Sequence, residues 1–289
     1  MKKKHTAVAL CFLAPYLIIF FVFRLFPSFA SIYISFTRWS IVGTPQFIGF
    51  DNYIALFQDQ HFFRALTNSF HFLLWILPIL LVLSLLVAVA LNEKIPGRNI
   101  VRVFAVIPYV IIPAVVGIMW NWMYDANFGI LNYILSLFNV SPVGWLIESD
   151  IALISVSAVI IWSFLGYNMI LFLAGLQGIP RELYEAASID GASRWQTLIR
   201  ITLPLLNRTT SLIITLTLIN VVQVYDHVVV MTGGGPSLST MTLLQYQFIS
   251  AFERQQLGYG SAVGVVILVI LIVLIKLQNL IFKTDKEVS

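Results

Sequence analysis

The chain has 289 residues, of which 59% are hydrophobic and only 10% are charged, and its formal net charge at pH 7 is +4. Because about a quarter of the residues in a soluble globular domain are charged, this composition excludes a soluble protein and indicates an integral membrane protein. The single cysteine, Cys11, excludes a disulfide framework, and the four histidines do not have the spacing of a metal site.

Apolar residues are concentrated in six segments, each near or above the roughly 20 residues that a helix needs to cross a bilayer. Backbone groups in lipid must be hydrogen-bonded within the segment, and the alternating pattern of barrel strands is absent, so we predict helices. The sequence thus predicts an all-α membrane protein with a single domain over residues 1–289. The predicted spans cover residues 8–35, 69–92, 101–124, 151–178, 207–232 and 259–282.

The first predicted span has two interpretations. Lys2 to Lys4, followed by an apolar run and by Ser28-Phe29-Ala30, are typical of a cleaved signal peptide. The apolar run is longer than a signal-peptide core, however, and it contains Arg24 and Pro27. We therefore expect an uncleaved span.

Prolines within the second and third spans predict bends in those helices. Pro78, Pro108 and Pro113 each remove a backbone hydrogen bond, a loss that neighbouring groups can compensate in membranes. We therefore expect both spans to be kinked.

The distribution of lysine and arginine predicts which side of the membrane each connection faces. Thirteen of the 17 basic residues lie near the two termini or in the connections between spans two and three and between spans four and five. The connection at 125–150 carries three acidic residues and no basic residue. Because basic residues are enriched on the cytoplasmic side, both termini are predicted to be cytoplasmic. The same bias accounts for the net positive charge without a nucleic-acid partner.

Spans four and five carry polar side chains deep in their apolar sequence. Such residues are costly in lipid and usually face a cavity or another helix. In span five, Thr217, Asn220 and Val224 are predicted to share one helical face. Two interpretations remain open: these side chains line a path for a polar solute, or they join the helices by hydrogen bonds worth about 0.6 kcal/mol each. The residues are Trp162, Ser163, Tyr167 and Asn168 in span four and Thr215, Thr217, Asn220, Gln223, Tyr225 and Asp226 in span five.

The connection at 179–206 begins with a predicted short helix. Pro180 suits a first helical turn, and Glu182 and Glu185 follow where the helix dipole favours negative charge. Gly191 is predicted to end this helix, because glycine most easily takes the left-handed conformation of a C-terminal cap.

A second short helix is predicted to follow at once. Ser193 and Gln196 have the spacing of a capping box, and Pro204 is expected to mark the end of the helix. The result is a helix–glycine–helix elbow, in which Ala186 and Ala187 would allow another surface to approach closely. From the residues alone, the elbow is either a docking surface for a cytoplasmic partner or an interfacial helix that anchors the loop.

The elbow also resembles a known family motif. Glu185-Ala186-Ala187, with Asp190-Gly191-Ala192 and Ile201-x-Leu203-Pro204 after it, is similar to the EAA loop of ATP-binding-cassette importer permeases. The match includes Leu176-Gln177-x-Ile179-Pro180, which precedes the elbow.

Two further motifs resemble the carbohydrate-uptake branch of that family, which includes maltose, glycerol-3-phosphate and multiple-sugar permeases. They are Phe47-x-Gly49-x-x-Asn52-Tyr53 after span one and Thr232-x-Gly234-Gly235-Pro236 after span five. The resemblance covers nearly the whole chain and favours the maltose F-type or glycerol-phosphate A-type subunit.

The resemblance implies a type I importer permease fold with six membrane helices and a cytoplasmic coupling helix. That helix would sit in a cleft of an ATPase subunit, so that closure of two ATPases around ATP switches the spans from inward-facing to outward-facing. The implied ATPase-coupling residues are Glu185, Ala186, Ala187, Asp190, Gly191 and Ala192.

The resemblance also implies partners in a bacterial or archaeal plasma membrane. They are a second, homologous permease in a heterodimer, two ATP-binding-cassette ATPase subunits, and an extracytoplasmic solute-binding protein that docks on loops 37–68, 125–150 and 233–258. ATP and Mg²⁺ would be bound by the ATPase subunits, so no cofactor and no metal are expected in this chain. It has no Walker motif and no catalytic constellation, and we predict a transporter subunit that contacts membrane lipid, not an enzyme.

A sugar substrate would need amide and hydroxyl partners and an aromatic ring for its C–H face. Related permeases imply that the sugar sits between spans four and five. The predicted pathway residues are Trp162, Phe164, Tyr167, Asn168, Thr217, Asn220, Val221 and Val224. The middle of the spans shows no cationic residue for a phosphate, which favours a neutral di- or oligosaccharide over glycerol-3-phosphate.

Two other functions, secondary transport and intramembrane catalysis, would require residues that differ from those of an importer permease. A secondary transporter driven by an ion gradient would be expected to carry intramembrane carboxylates, for which only Asp226 is a candidate. An intramembrane enzyme would need a catalytic constellation, and the sequence shows none.

Overall fold

The computed structural model describes residues 12–93 and 96–282, and these residues are mostly helical. A short antiparallel hairpin pairs β1 (Thr37–Arg38) with β2 (Gln46–Phe47). The prediction of an all-α protein is confirmed, with this hairpin as a small addition. The helices are α1 (Phe12–Ile34), α2 (Asp51–Leu56), α3 (Gln60–Asn92), α4 (Arg98–Val110), α5 (Pro113–Met123), α6 (Ile130–Leu137), α7 (Ser149–Gln177), α8 (Arg181–Ile189), α9 (Arg194–Leu205), α10 (Asn207–Val222), α11 (Asp226–Met231), α12 (Leu243–Phe248) and α13 (Leu257–Ile281).

Some predictions concern residues outside the described ranges. They are the start of span one at residue 8, Cys11, and six lysines that enter the orientation argument. These lysines are Lys2, Lys3, Lys4, Lys94, Lys283 and Lys286, of which the first three also entered the signal-peptide argument.

Four helices are long and apolar enough to cross a membrane as single segments: α1, α3, α7 and α13. Two further crossings are obtained if each of two bent pairs forms one span. These pairs are α4 with α5, bent by 100°, and α9 with α10, bent by 70°. The described chain therefore holds up to six spans, in the order that the sequence predicts.

The bend between α4 and α5 follows from Pro113. A proline disfavours the helical conformation in the residue before it, and Ile111 and Ile112 are extended, with ψ of 139° and 128°. Pro113 then occupies the first turn of α5. In contrast, helices α3 and α4 continue through Pro78 and Pro108. The predicted kink in span three is therefore confirmed at Pro113. Span two is a single helix that contains Pro78.

The predicted fifth span is interrupted before its C-terminal end. Helix α10 ends at Val222, and α11 begins at Asp226. The hydroxyl of Thr242 donates to the freed carbonyl of Val224 at 2.8 Å, which satisfies this group in place of a helical partner. Val224 therefore does not continue the helical face of Thr217 and Asn220, and that part of the prediction is wrong.

The described chain divides into two compact units. The first contains residues 12–62 and 246–268. Within it, the buried side-chain amide of Asn52 donates to the carbonyls of Ser35 and Thr37 at 2.8 and 2.9 Å. Gly49 has a φ of +60°, a conformation that favours glycine. The motif from Phe47 to Tyr53 thus fixes the loop that follows α1.

The second unit contains residues 63–93, 96–245 and 269–282, and α7 lies at its centre. Helix α7 packs against α4, α10 and α11. Gly166 of α7 faces the backbone of Ala105 in α4, and Gly117 of α5 faces Val230 in α11, so closely that a side chain at either glycine would clash. Small residues of this kind allow membrane helices to approach each other. The close packing places the polar residues of α7 directly against its neighbours.

Candidate functional site

The first helix of the elbow has the predicted bounds and the predicted cap. Helix α8 runs from Arg181 to Ile189, and Gly191 follows with a φ of +72°. The N–H of Gly191 donates to the carbonyl of Ser188 at 3.2 Å, and the N–H of Ala192 donates to that of Ala187 at 2.9 Å. This pair of bonds is a Schellman motif, which ends a helix tightly. The space around Gly191 is open, so a side chain would not clash there. Glycine is favoured at this position because of its left-handed backbone conformation.

The second helix of the elbow begins with the predicted capping box. The N–H of Gln196 donates to Ser193 Oγ at 3.3 Å, and the N–H of Ser193 donates to Gln196 Oε1 at 2.8 Å. Helix α9 then contains a π-helical turn, Leu198–Thr202, and ends at Leu205, one residue beyond the predicted proline. The predicted cap at the end of α8 and the predicted cap at the start of α9 are both confirmed.

Helix α8 has an inner and an outer face. Tyr184 and Ala187 face the rest of the chain, and Ala187 is only 6% exposed. The expectation that Ala187 offers a small contact to another protein is therefore wrong, because the chain itself covers this side chain. The other implied coupling residues are largely accessible: Glu185, Ala186, Asp190 and Gly191 are exposed, and Ala192 is half-buried.

The outer surface of the elbow also carries large apolar side chains that the sequence analysis did not single out. Ile189 is 87% exposed and Trp195 is 66% exposed. Among the described residues, Glu185 forms no salt bridge; the pair that is present joins Arg194 to Glu93 at 3.9 Å between exposed side chains and contributes little. An unpaired carboxylate beside exposed apolar side chains is a surface suited to contact with another protein.

Two cavities lie beneath the elbow. The larger, of about 460 Å³, is lined by residues of α3, α4, α7 and α8, including Asn92, Arg98 and Glu185. The smaller, of about 330 Å³, is lined by residues of α3, α7, α8 and α9, including Asn92 and Thr202. Tyr184 borders both cavities.

In the predicted pathway, Asn168 and Thr217 pair with each other. The side-chain amide of Asn168 in α7 donates to Thr217 Oγ1 in α10 at 3.1 Å, and both residues are buried. A similar bond joins Thr215 Oγ1 to Gln278 Oε1 of α13 at 2.8 Å. These contacts agree with the interpretation of polar residues as bonds between helices. Val221 and Val224 are likewise buried, in the apolar core of the second unit.

Aromatic residues on α4 and α7 form a more accessible surface. The ring of Tyr167 stacks on that of Tyr109 with 4.4 Å between centroids, and Phe164 meets Tyr109 edge-on at 5.7 Å. Tyr109 is 41% exposed. Tyr109 is not among the predicted pathway residues, although a tyrosine after Pro108 within span three is a signal of the same kind as Tyr167.

The remaining predicted residues have other surroundings. Trp162 packs edge-on against Trp120 of α5, with 5.5 Å between ring centroids, and Asn220 is half-buried near the end of α10. Asp226, the one carboxylate considered for ion coupling, is exposed at the start of α11. The described residues contain no group of three or more His, Cys, Asp or Glu side chains that would hold a metal ion.

The chain is similar to known permease subunits over most of its length. It is 36% identical over 286 residues to the diacetylchitobiose uptake system permease protein NgcF of Streptomyces coelicolor, which covers 94% of this chain and 81% of that protein. It is 32% identical over 265 residues to the arabinooligosaccharides transport system permease protein AraP of Bacillus subtilis, which covers 91% of this chain and 84% of that protein.

The fold is also that of a solved transporter structure. A bacterial alginate ABC transporter, in complex with an alginate pentasaccharide-bound periplasmic protein, contains a chain that superposes with a TM-score of 0.84. The two chains are 24% identical, and the match covers 96% of this chain and 94% of the other. This likeness confirms the predicted importer permease fold.

A model of a protein family matches most of the chain. The model for binding-protein-dependent transport system inner membrane components matches residues 52–284, which include the elbow, both cavities and the aromatic surface. A member of this family is a transporter subunit in a membrane, not an enzyme, and it works with a solute-binding protein and with ATPase subunits. The chain belongs to the family of binding-protein-dependent transport system inner membrane components.

Proposed function

We propose that this chain is one membrane-spanning half of an ATP-driven sugar importer, and that α8 is the helix through which ATPase subunits act on it. The observation that carries this proposal is the capped elbow, whose outer face presents Glu185, Ala186 and Ile189. A short helix that is closed by a Schellman motif and followed by a capping box can be displaced without unwinding. Asp190, Gly191 and Ala192 complete the coupling segment as its cap.

The proposed substrate is a neutral di- or oligosaccharide. Relatives named for diacetylchitobiose and arabinooligosaccharide uptake support this class. We place the sugar-contacting surface of this half at Tyr167, Phe164 and Tyr109, with Trp162 and Asn220 towards its edge. Asn168, Thr217, Val221 and Val224 support that surface from behind, since they are buried and contact other parts of the chain.

The proposed assembly is a heterodimer with a second, homologous permease, bound by two ATPase subunits that hold ATP and Mg²⁺. Both termini of this chain lie in the cytoplasm of a bacterium or archaeon. The solute-binding protein docks on the opposite side of the membrane, on the loops at 37–68, 125–150 and 233–258.

Reversal of the charge at Glu185 tests the coupling role. In membranes that contain the assembled transporter, Glu185→Lys should leave the chain inserted while sugar uptake per ATP hydrolysed falls at least about tenfold, because disruption of a charge pair that is buried at an interface costs about 2 kcal/mol or more. Uptake of radiolabelled diacetylchitobiose, maltose and arabinotriose and the rate of ATP hydrolysis would be measured in the same vesicles.

Two matched variants at the same position separate charge from helix stability. Glu185→Asp keeps the charge and should retain most of the coupling. In Glu185→Gln, the uptake per ATP hydrolysed should lie between the values for Glu185→Asp and Glu185→Lys. Wild-type uptake per ATP in Glu185→Lys at native expression would refute the coupling role, and uptake of none of the three sugars by the wild type would refute the substrate class.

A further inference from the structure

Tyr184 is the residue of α8 that borders both cavities beneath the elbow. With Asn92 and Leu176, it borders both the cavity of about 460 Å³ and that of about 330 Å³. On this side of α8, the inward contact is made by Tyr184 together with Ala187 one turn later.

The ring and the hydroxyl of Tyr184 make two different contacts. The ring packs against the apolar core formed at the ends of α3, α7 and α10, a cluster that contains Leu91, Leu176 and Leu206. The hydroxyl lies 3.2 Å from Thr202 Oγ1. Because Thr202 Oγ1 itself donates to the carbonyl of Thr197 at 3.4 Å, the Tyr184 hydroxyl is the donor to Thr202.

Thr202 lies close to two irregular features of the chain, a π-helical turn and a bend between helices. It is buried at the end of the π-helical turn Leu198–Thr202, four residues before the 70° bend between α9 and α10. Single π-helical turns inside α-helices are frequent at functional sites. The bond from Tyr184 therefore joins the two helices of the elbow, α8 and α9, just before the bend that leads into α10. Helix α10 carries Thr217 and Asn220.

We propose that Tyr184 is a positioning residue that carries the movement of α8 to α10 through its hydrogen bond to Thr202. This inference rests on the proposed function, because it assigns the path by which an ATPase bound at Glu185 would act on the membrane helices. The ring holds α8 in place, and the hydroxyl links displacement of α8 to α9, which continues through the bend into α10.

Removal of the hydroxyl tests this role in the complete transporter. Tyr184→Phe keeps the ring in the apolar cluster, so the melting temperature and the rate of ATP hydrolysis should stay close to wild type. Sugar uptake per ATP, measured with the sugar that the wild type accepts from diacetylchitobiose, maltose and arabinotriose, should fall about two- to tenfold, the range expected for one neutral hydrogen bond. Hydrogen exchange of residues 181–189 should become faster.

Variants at Thr202 test the same bond from its other end. Thr202→Val should reproduce the effect of Tyr184→Phe, the double variant should be no worse than either single variant, and Thr202→Ser, which keeps a hydroxyl, should restore coupling. Tyr33→Phe serves as a control for loss of a tyrosine hydroxyl, since Tyr33 is exposed on α1.

The outcomes distinguish this inference from the proposed function. A wild-type ratio of uptake to ATP hydrolysis in both Tyr184→Phe and Thr202→Val would overturn the inference, as would a loss of ATP hydrolysis and uptake in parallel with a lower melting temperature. If Glu185→Lys uncouples the transporter while Tyr184→Phe does not, only the inference fails. If Glu185→Lys remains fully coupled, the coupling role in the proposed function is refuted, and the inference that rests on it is refuted as well.

Discussion

Asp59 is the acceptor in a small cluster of hydrogen bonds in the first unit. It receives bonds from the hydroxyls of Tyr246 and Tyr259, the latter at 3.0 Å, and from the N–H of His61 at 2.8 Å. Partial burial alone would raise the pKa of the Asp59 carboxyl. The hydrogen bonds outweigh this effect, and its pKa lies below the ordinary value of 3.8. Burial, together with the bond to Asp59, raises the pKa of Tyr246.

The lowered pKa of Asp59 predicts how stability depends on pH. A carboxyl whose pKa is lower in the folded state stabilises the fold above its unfolded pKa, and this contribution is lost as the pH falls through the folded value. Asp59→Asn should therefore lower the free energy of unfolding at pH 7 by about 1.5 kcal/mol, the low end for bonds to a charged group because Asp59 is partly exposed.

Melting temperatures between pH 7 and pH 3 would check this expectation. The difference between the wild type and Asp59→Asn should shrink below about pH 4, where the wild-type carboxyl becomes protonated. Asp51→Asn, at an exposed carboxylate of α2, is the matched control and should show little effect. A difference that stays constant over the whole range would contradict the assigned role of the Asp59 charge.

At the scale of elements, the sequence predicts best where the signals are local. Gly191 and the Ser193–Gln196 pair specify the elbow within a few residues, and the structure confirms both caps. The break in span five has no such signal, because Gln223, Val224 and Tyr225 include neither proline nor glycine. The break depends on Thr242, 18 residues after Val224, which satisfies the freed carbonyl.

The sequence indicates which residues need contacts with other elements, but it does not identify the residues that they contact. The sequence marks Asn168 and Thr217 as polar residues that need partners, yet it does not show that they bond to each other. In the same way, helical spacing does not show that Ala187 is covered by the chain while Ala186 is exposed. These features depend on where α7, α8 and α10 pack, which single-sequence patterns do not specify.

The stacked tyrosines of α4 and α7 give a prediction at this scale. If Tyr109 and Tyr167 contact the sugar in transit, Tyr109→Ala and Tyr167→Ala should each lower the maximal rate of uptake about two- to tenfold, the range expected for one aromatic contact. The apparent KM should change little, because the solute-binding protein captures the sugar first. Uptake would be measured in vesicles over a range of sugar concentrations.

A neighbouring exposed residue on the same helix provides the control. Phe104 is 67% exposed on α4 and lies on a different side of the helix from Tyr109. Phe104→Ala should therefore leave uptake close to wild type. Equal losses in Phe104→Ala and Tyr109→Ala would mean that α4 is disturbed as a whole and that the stacked pair has no special contact with sugar.

At the scale of the whole molecule, orientation in the membrane is the property on which the coupling proposal depends. The elbow must lie on the side where ATP is available, so its three arginines and Arg208, which follows it, must be cytoplasmic. Arg98 and Arg102, in the first two turns of α4, are predicted to lie on the same side, whereas the loop that contains α6 is predicted to lie outside.

Cysteine labelling on protoplasts or spheroplasts tests this orientation directly. In a Cys11→Ser background, a membrane-impermeant maleimide should label Ser141→Cys, in the loop after α6, but not Asn99→Cys in the first turn of α4; both residues are exposed in the structure. After permeabilisation, both sites should react, which controls for their accessibility. The reverse pattern would place the elbow outside the cell, where no cytoplasmic ATPase could reach Glu185, and ATP-driven coupling through α8 would then be physically impossible.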